Sequence, residues 1–462
     1  MIKKLLIYTL FLTLTLFVGC TSNEENSTYF GGKIINPKSN FVTLHSMEKI
    51  VDTLFLDKNN KFIGKLENFN EGLYYFIHGN ENQYIYLEPL DSLMLRLNTW
   101  DFDESLVFAG KGSKRNNVLI DCFLEEEKDY KTNYKFNKLE PKEFKRKTDS
   151  LIQLKIDSYN NYIENNPEET FGFKSLLKVA LTYPIYSRIE RYPIVYTKYS
   201  KTKEFPKTDT DFYNYRKEIT INKDSLMYYS AYSQYVKNYL YNITYSLGYK
   251  PMTNEYSTNF TNDLLKTIDA TVCTPESKNA FLKQTVIGHF YRRSTCNIDE
   301  KVFNTFFDLS ANKKDLKQVR LLLNDSKYLK KDTKIPNFTL IDFTNGNHSI
   351  SKIIKNKKSC LFFWNPEYFS KNYISSRVKY LSEKFPEIQF LQLKFGYDSL
   401  DRIDNLDIKN QFFIDTKSEA NNFLTSKMPR TILVSKKGII KNSFASISSK
   451  NIIFQLKELS EK

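Results

Sequence analysis

The C-terminal part of the sequence alternates between short apolar runs and amphipathic segments. From about Asp332 onward, this alternation is typical of a sheet whose parallel strands are joined by crossover helices. The predicted strands are Phe338–Ile341, Ser359–Trp364, Ile388–Leu393, Gln411–Ile414, Thr431–Val434 and Ile439–Ser443. The predicted helices are Ser351–Lys355, Ser370–Phe385, Ser418–Thr425 and Lys450–Leu459. This order of elements predicts an α/β domain.

One of the predicted strands leads directly into a helix. The apolar run from Cys360 to Trp364 stops at Asn365-Pro366, and the next helix is expected a few residues later. Many folds keep a reactive group in a turn of this kind. Residues 365–373, however, contain no cysteine, no histidine and no glycine. The turn is therefore expected to lack the usual nucleophiles.

Three segments of this region resemble the thioredoxin fold of exported thiol–disulfide oxidoreductases of the TlpA and ResA type. They are the lead-in Ile335–Leu340, the strand Leu361–Trp364, and the segment Met428–Ile440, which is similar to the family's cis-proline loop with its following strand and hairpin. The resemblance implies a thioredoxin-like domain over residues 331–462. It also implies a cis peptide bond between Met428 and Pro429.

The family's two active-site cysteines are replaced in this sequence. They follow the strand's tryptophan by four and seven residues, which here are Tyr368 and Lys371; a one-residue gap would give Phe369 and Asn372. Thiol–disulfide exchange needs a thiolate and a second, resolving thiol, and none of these side chains supplies either. Cys360 lies inside the predicted strand, where we interpret it as a small buried core residue. The sequence thus predicts a redox-inactive domain with no catalytic residue and no cofactor.

The resemblance also points to a candidate binding groove. In redox-active relatives, the groove between the turn and the proline loop holds an extended peptide by main-chain hydrogen bonds, a form of strand addition. Here the residues that would line it are Trp364, Tyr368, Phe369, Met428 and Pro429. Two interpretations stay open at this stage. The aromatic residues either bind a peptide or fill the volume around a degenerate turn.

The residues before the α/β domain divide into two regions. Residues 30–111 contain short strand-like segments separated by turn-forming residues, which predicts an antiparallel β-sandwich. This region resembles a small β-domain of unknown function common in exported lipoproteins of Bacteroidetes. Residues 112–330 have helical periodicity, clearest in Asp149–Ile163, Ser230–Leu247 and Pro275–Tyr291. The predicted fold class is therefore an α+β multidomain protein: a β-sandwich, a helical middle region and a thioredoxin-like domain.

The N-terminus has the three parts of a secretory signal. Lys3 and Lys4 precede an apolar run that ends at Gly19-Cys20, and a polar stretch follows. This ending resembles a bacterial lipobox, which implies a signal peptide over residues 1–19, fatty acylation (palmitate) of Cys20 and a polar tether over residues 20–29. The alternative is a signal peptide cut elsewhere, with Cys20 incidental. The predicted location is the cell envelope, with the lipid on Cys20 as membrane anchor in the outer membrane, on its periplasmic or surface face.

Other features of the sequence exclude several classes of function. The formal charge is +15, but the lysines are spread thinly without a recognition motif, so we expect no nucleic-acid partner. No metal site is predicted, because the histidines lie far from one another and from any cysteine at ligand spacing. The histidines are His45, His78, His289 and His348. Cys273 and Cys296 flank a predicted helix and are expected to lie too far apart for a disulfide.

These observations support three hypotheses of function. The first is a lipid-anchored envelope protein whose redox-inactive thioredoxin-like domain is a binding or scaffolding module for a peptide or an envelope protein. The second is a divergent thiol–disulfide oxidoreductase or peroxidase of the TlpA and ResA type that uses one cysteine. The third is glycan handling at the cell surface. Several Asp-Ser/Thr-Leu triplets, among them Asp149-Ser150-Leu151, also resemble the O-glycosylation sequon of exported Bacteroidetes proteins.

Overall fold

A computed structural model describes residues 27–47, 49–67, 69–200, 204–250, 257–396, 398 and 401–461. The predicted signal peptide 1–19, Cys20 and most of the predicted tether 20–29 lie outside these residues. The described residues form two compact units. The first consists of residues up to Tyr192 with Lys207–Tyr215 and Ser225–Val236, and the second of Pro193–Pro206, Arg216–Asp224 and Lys237–Lys462. No helix among the described residues is long and apolar enough to cross a membrane.

The first unit contains two four-stranded sheets, with strand orders β4-β1-β7-β8 and β3-β2-β5-β6. The strands are β1 Thr28–Ile35, β2 Phe41–Ser46, β3 Lys49–Phe55, β4 Lys61–Leu66, β5 Gly72–His78, β6 Glu81–Leu87, β7 Ser92–Asn98 and β8 Val107–Ala109. Strand β1 pairs antiparallel with β4 but parallel with β7. The expectation of a purely antiparallel sandwich is therefore wrong at this pair. A parallel pair needs a long crossover, which here runs through β2, β3, β5 and β6 of the opposite sheet and β4 of the same sheet.

The two sheets share one apolar core. Alternate side chains of each strand point inward, as in β4, where Phe62, Gly64 and Leu66 are buried and their neighbours are exposed. Phe30 of β1 and Phe76 of β5 are fully buried, and their ring centroids lie 5.9 Å apart across the sheets. The period of two in the sequence thus sets which face of each strand enters the core.

Helices occupy most of residues 113–328. Their bounds are α1 Ser113–Asn133, α2 Pro141–Asn165, α3 Phe171–Tyr196, α4 Ser230–Tyr245, α5 Thr258–Thr271, α6 Pro275–Arg293, α7 Lys301–Leu309 and α8 Lys313–Tyr328. The helical segments predicted from periodicity are confirmed in α2, α4 and α6. Proline at the first position of α2 and α6 fits a helix start, because the missing N–H would have no partner there.

A buried charge cluster fixes α1 to the sandwich within the first unit. The chain enters α1 through Gly112, whose φ of +92° and whose close approach to Asp91 leave no room for a side chain. One turn later, the guanidinium of Arg115 pairs with three carboxylates. These are Glu88 at 2.7 Å, Asp91 at 2.6 Å and Glu169 at 3.1 Å.

A second layer of hydrogen bonds surrounds this cluster. The hydroxyl of Thr170 lies 2.6 Å from Glu71 Oε1 and 2.9 Å from Glu88 Oε1. The hydroxyl of Tyr86 donates to the same Glu71 oxygen. Burial is the main cause that raises the pKa of Glu88 and of Asp91. The cluster therefore places more carboxylates than cations in a partly desolvated site.

The second unit contains a seven-stranded sheet with the order β10-β9-β13-β12-β11-β14-β15. Its elements are β9 Thr339–Ile341, β10 Asn347–Ser349, α9 Ile350–Ile353, β11 Lys358–Trp364, α10 Lys371–Lys384, β12 Ile388–Phe395, β13 Gln411–Ile414, β14 Arg430–Val434, β15 Ile440–Ala445 and α11 Ile452–Glu461. Strand β11 is parallel to β12, which is parallel to β13, whereas β14 is antiparallel to β11. This arrangement is thioredoxin-like, and the predicted strands are confirmed.

Two elements of this sheet region differ from the prediction. Strand β10 was not predicted, because three residues are too few to show the alternation that is typical of a strand. The predicted helix Ser418–Thr425 is only a 3₁₀ turn, Glu419–Asn422. The backbone N–H groups of Thr425 and Ser426 donate to the carboxylate of Asp325 in α8 and so do not continue a helix.

Loss of the central cation should destabilise the first unit. Arg115→Ala leaves three carboxylates buried without their partner, and we expect the free energy of unfolding to fall by about 3–5 kcal/mol. Urea denaturation followed by circular dichroism measures this change. Lys128→Ala, an exposed change on the same helix, is the matched control and should shift stability by less than about 0.5 kcal/mol. Equal stability of the two variants would contradict a structural role for the cluster.

Candidate functional site

The turn after β11 places Tyr368 and Lys371 where the resemblance puts the two cysteines. Trp364 ends the strand and is only 1% exposed. The backbone N–H groups of Tyr368 and Phe369 donate to the carbonyl of Asn365 at 3.0 and 3.2 Å, which closes the turn. Ser370 then caps α10 by accepting from the N–H of Tyr373. Tyr368 thus precedes the helix, and Lys371 is its first residue.

The cysteines in the described part of the chain are all free thiols. Cys360 is fully buried in β11, and burial raises its pKa far above the ordinary range. Burial likewise raises the pKa of Cys122 in the first unit to about 12. Cys273 is exposed and Cys296 is partly buried. They lie beyond opposite ends of the unbroken helix α6, as the sequence predicts.

The loop before β14 departs from the family pattern. None of the peptide bonds in the described residues is cis, so the bond between Met428 and Pro429 is trans and the expectation of a cis bond is wrong. A trans bond is the ordinary preference of X–Pro, and the next residue, Arg430, is anchored by hydrogen bonds to three carbonyl groups. The side chain of Arg430 therefore holds the loop before β14 in place from one side.

A pocket of about 660 Å³ lies between the turn, the proline loop and helices α6 and α8, all in the second unit. Of the predicted groove residues, Tyr368, Phe369, Met428 and Pro429 line it. Trp364 does not, because its side chain lies in the core under α10 and α11. The structure thus brings four of the five residues together around one pocket.

Helices α6 and α8 supply walls that the sequence did not suggest. They contribute Lys283, Ile287 and Tyr291 from α6 and Lys314, Lys317, Gln318 and Leu321 from α8. The hydroxyl of Tyr291 donates to the carbonyl of Pro429 at 2.7 Å, and Gln318 Nε2 donates to the hydroxyl of Tyr368 at 3.0 Å. Nothing in the sequence near either helix signals these contacts, because they join residues 50 to 138 positions apart.

These contacts change what the groove can bind. Strand addition depends on free main-chain donors and acceptors along the groove. The carbonyl of Pro429 is already occupied by Tyr291, and proline has no N–H to offer. Main-chain pairing at Pro429 is therefore limited, and the side chains of the lining are the groups left to recognise a ligand at this point.

The rim of the pocket is positively charged. Lys283 pairs with Asp315 at 2.8 Å, whereas Lys314 and Lys317 are exposed and form no ion pair with a described residue. Glu367 is the acidic residue of the lining. Burial first, and then the charge of Glu367, raise the pKa of Tyr368, so its hydroxyl stays protonated at neutral pH.

The histidines do not form a site. His348 of β10 pairs with Asp342 at 2.6 Å, and this pairing lowers the pKa of Asp342. His289 is buried beside Thr261, and burial lowers its pKa to about 4. Across the described ranges, no group of three histidine, cysteine or acidic side chains could hold a metal ion.

Comparisons with solved structures find proteins that are similar to about 29% of this chain. A protein from Bacteroides vulgatus assigned as a thiol–disulfide oxidoreductase is 20% identical, with a TM-score of 0.25; the match covers 29% of this chain and 99% of that one. A thiol:disulfide interchange protein from a Bacteroides species is 17% identical, with a TM-score of 0.24, and covers 29% of this chain and 92% of its own. A thiol peroxidase from Chromobacterium violaceum is 12% identical, with a TM-score of 0.23, and covers 29% and 89%.

No protein-family model matches the chain. No curated protein matches it either. At the identities and TM-scores of the solved structures, the likeness says nothing about activity. The thioredoxin-like arrangement of this region follows from its own strand order and register.

Thiol labelling should separate the buried cysteines from the exposed one. In the folded chain at about pH 8, Cys273 should react quickly with dithionitrobenzoate, while Cys122 and Cys360 should react only on unfolding, because burial excludes the reagent and disfavours the thiolate. Cys273→Ser should reduce the fast phase by one thiol, and Cys360→Ser should leave it unchanged. Fast labelling of Cys360 in the folded chain would contradict its place in the core.

Proposed function

We propose that this chain is a lipid-anchored cell-envelope protein whose thioredoxin-like domain is a binding module without thiol–disulfide activity. The observation that supports it most directly is the chemistry of the turn before α10. Tyr368 and Lys371 occupy the positions of the two thiols, and neither can become a thiolate nucleophile.

The geometry also argues against Cys360 as the thiol of the single-cysteine alternative. An oxidoreductase or peroxidase with one cysteine needs an accessible thiol of low pKa. Cys360 is the cysteine closest in sequence to the turn, and it is fully buried with a strongly raised pKa. A catalytic role for Cys360 would require β11 to leave the centre of the sheet.

The binding role draws on the pocket beside the turn. Its volume lies within the range of about 300–1,000 Å³ typical of small-molecule sites. Apolar side chains line most of it, and a few polar groups stand at the rim. We place binding there, and we place the membrane anchor at the other end of the chain, on Cys20.

A reductase assay tests the absence of thiol chemistry. The purified chain should not accelerate insulin reduction by dithiothreitol, because the turn has no thiol to attack the disulfide. Cys360→Ser should behave in the same way, and thioredoxin serves as the positive control. Clear catalysis by the unmodified chain would overturn the proposal.

A double substitution tests whether the turn keeps a thioredoxin-like electrostatic environment. In Tyr368→Cys/Lys371→Cys, the thiol introduced at position 368 should have a pKa below the roughly 8.5 of a free cysteine, because it precedes the N-terminus of α10. The pH dependence of iodoacetamide labelling measures this pKa. The single variant Lys384→Cys, at the exposed last residue of α10, provides a thiol near the negative end of the helix. A pKa at position 368 equal to or above that of the control would contradict the expectation.

The lipid anchor has its own test. Cys20→Ser should release the chain into a soluble fraction or leave an unprocessed precursor, since the lipid would have no attachment site. Membrane fractionation and the intact mass of the processed chain report the result. Cys122→Ser is the control and should remain in the membrane fraction. A Cys20→Ser chain that is processed normally and stays in the membrane would refute the anchor.

A further inference from the structure

We infer that the pocket between the turn, the proline loop, α6 and α8 binds a small amphipathic anion, an apolar chain that ends in one carboxylate or phosphate group. This inference rests on the proposed binding role of the same pocket and gives it a ligand class. It does not depend on the lipid anchor or on the chemistry of the cysteines.

The interior of the pocket is suited to an apolar body. Ile287 of α6 and Leu321 of α8 are only partly buried and face the pocket together with Phe369 and Met428. Two aliphatic side chains left partly exposed inside a concave surface favour a ligand that removes their remaining apolar area from water. The apolar wall therefore contributes to affinity but does not distinguish an anionic ligand from a neutral or cationic one.

The rim supplies the selection of charge. Lys314 and Lys317 lie in the first turns of α8, which begins at Lys313, so the positive end of the helix dipole adds to their charge. The N-cap Asn312 already accepts from the N–H groups of Lys314 and Asp315, which leaves the lysine side chains as the available cations. Lys283 is paired with Asp315. The other charged residues of the rim are the two lysines and one acid, Glu367, so the rim carries a net positive charge.

The closed side of the pocket disfavours a peptide. The Pro429 carbonyl accepts from Tyr291, and the hydroxyl of Tyr368 accepts from Gln318. An extended peptide bound at Pro429 would find no main-chain N–H there and a carbonyl that already accepts from Tyr291, and burying its own polar groups without partners is unfavourable. A ligand with an apolar chain and one charged end avoids this cost.

Isothermal titration with four simple probes tests the inference. The protein is the chain after the predicted signal peptide with Cys20→Ser, and the probes are decanoate, decyl phosphate, decanol and decyltrimethylammonium, all below their aggregation concentrations. Decanoate and decyl phosphate should each bind one site, about tenfold or more tighter than decyltrimethylammonium. The affinity of decanol should lie between those of the two anions and that of the ammonium probe. Tighter binding of one of the two anions identifies the head group as carboxylate or phosphate.

Variants then assign the site. Lys314→Ala/Lys317→Ala should weaken decanoate binding by about five- to tenfold and change decanol binding by less than about twofold, because only the charged head contacts the rim. Lys313→Ala is the matched control, a lysine of the same helix turn that does not line the pocket, and should bind decanoate like the parent. Ile287→Trp fills the pocket and should abolish binding of both probes, with its fold checked by circular dichroism.

The outcomes separate this inference from the broader proposal. It is overturned if decanoate does not bind, if the ammonium probe binds equally well, or if the lysine pair can be removed without effect. None of these results bears on the redox chemistry, which the insulin assay decides. Insulin reductase activity would reject the proposed function even if decanoate bound as expected.

Discussion

The buried guanidinium of Arg430 holds the second unit together at the point where the pocket forms. It is 2% exposed, and its donors reach the carbonyls of Asp325 at 3.2 Å, Phe423 at 2.8 Å and Ser443 at 2.5 Å. It also lies over the ring of Phe444, 4.7 Å from the centroid. Burial lowers its pKa to about 10, so the side chain remains charged at neutral pH. One side chain thus links α8, the loop before β14, and β15.

The position of α8 has a direct effect on the pocket. Because Arg430 and Asp325 fix the end of α8 to the sheet, the rest of the helix is held beside the turn that follows β11. Tyr291 of α6 then binds the carbonyl of Pro429. The chain itself thus provides a hydrogen-bond donor to the carbonyl of Pro429, and the space that remains is a pocket with a basic rim.

The sequence predicts the strands of both sheet regions well because each strand carries its own period or apolar run. The strand β11 and its turn could be located from Leu361–Trp364 and Asn365-Pro366 alone. The substitution of both cysteines could likewise be read by counting from Trp364. These features are local in the sequence, so they can be recognised without knowledge of the fold.

The features that the sequence did not predict depend on contacts between residues that are far apart in the chain. The parallel pairing of β1 with β7 and the helices α6 and α8 around the pocket have no local signal, whereas the trans bond at Pro429 follows the ordinary X–Pro preference. The predicted helix Ser418–Thr425 is shortened by a contact of the same long-range kind, since the N–H groups of Thr425 and Ser426 donate to the carboxylate of Asp325, about 100 positions earlier in the chain. Tertiary hydrogen bonds here override the local helix propensity.

The hydroxyl of Thr170 has a consequence for the way the first unit responds to acid. It carries one hydrogen and lies within hydrogen-bond distance of both Glu71 and Glu88, so it can donate fully to only one of the two carboxylates. Burial raises the pKa of Glu88 and outweighs the opposing hydrogen bond from Thr170 and the charge of Arg115. Between its unfolded pKa and its raised folded pKa, Glu88 therefore binds more protons in the folded state than in the unfolded chain, so folding there takes up protons from solution. The contribution of Glu88 to stability is complete below its unfolded pKa and is lost as the pH rises through its raised folded value, so the Glu88 site is more favourable to folding in acid than at higher pH.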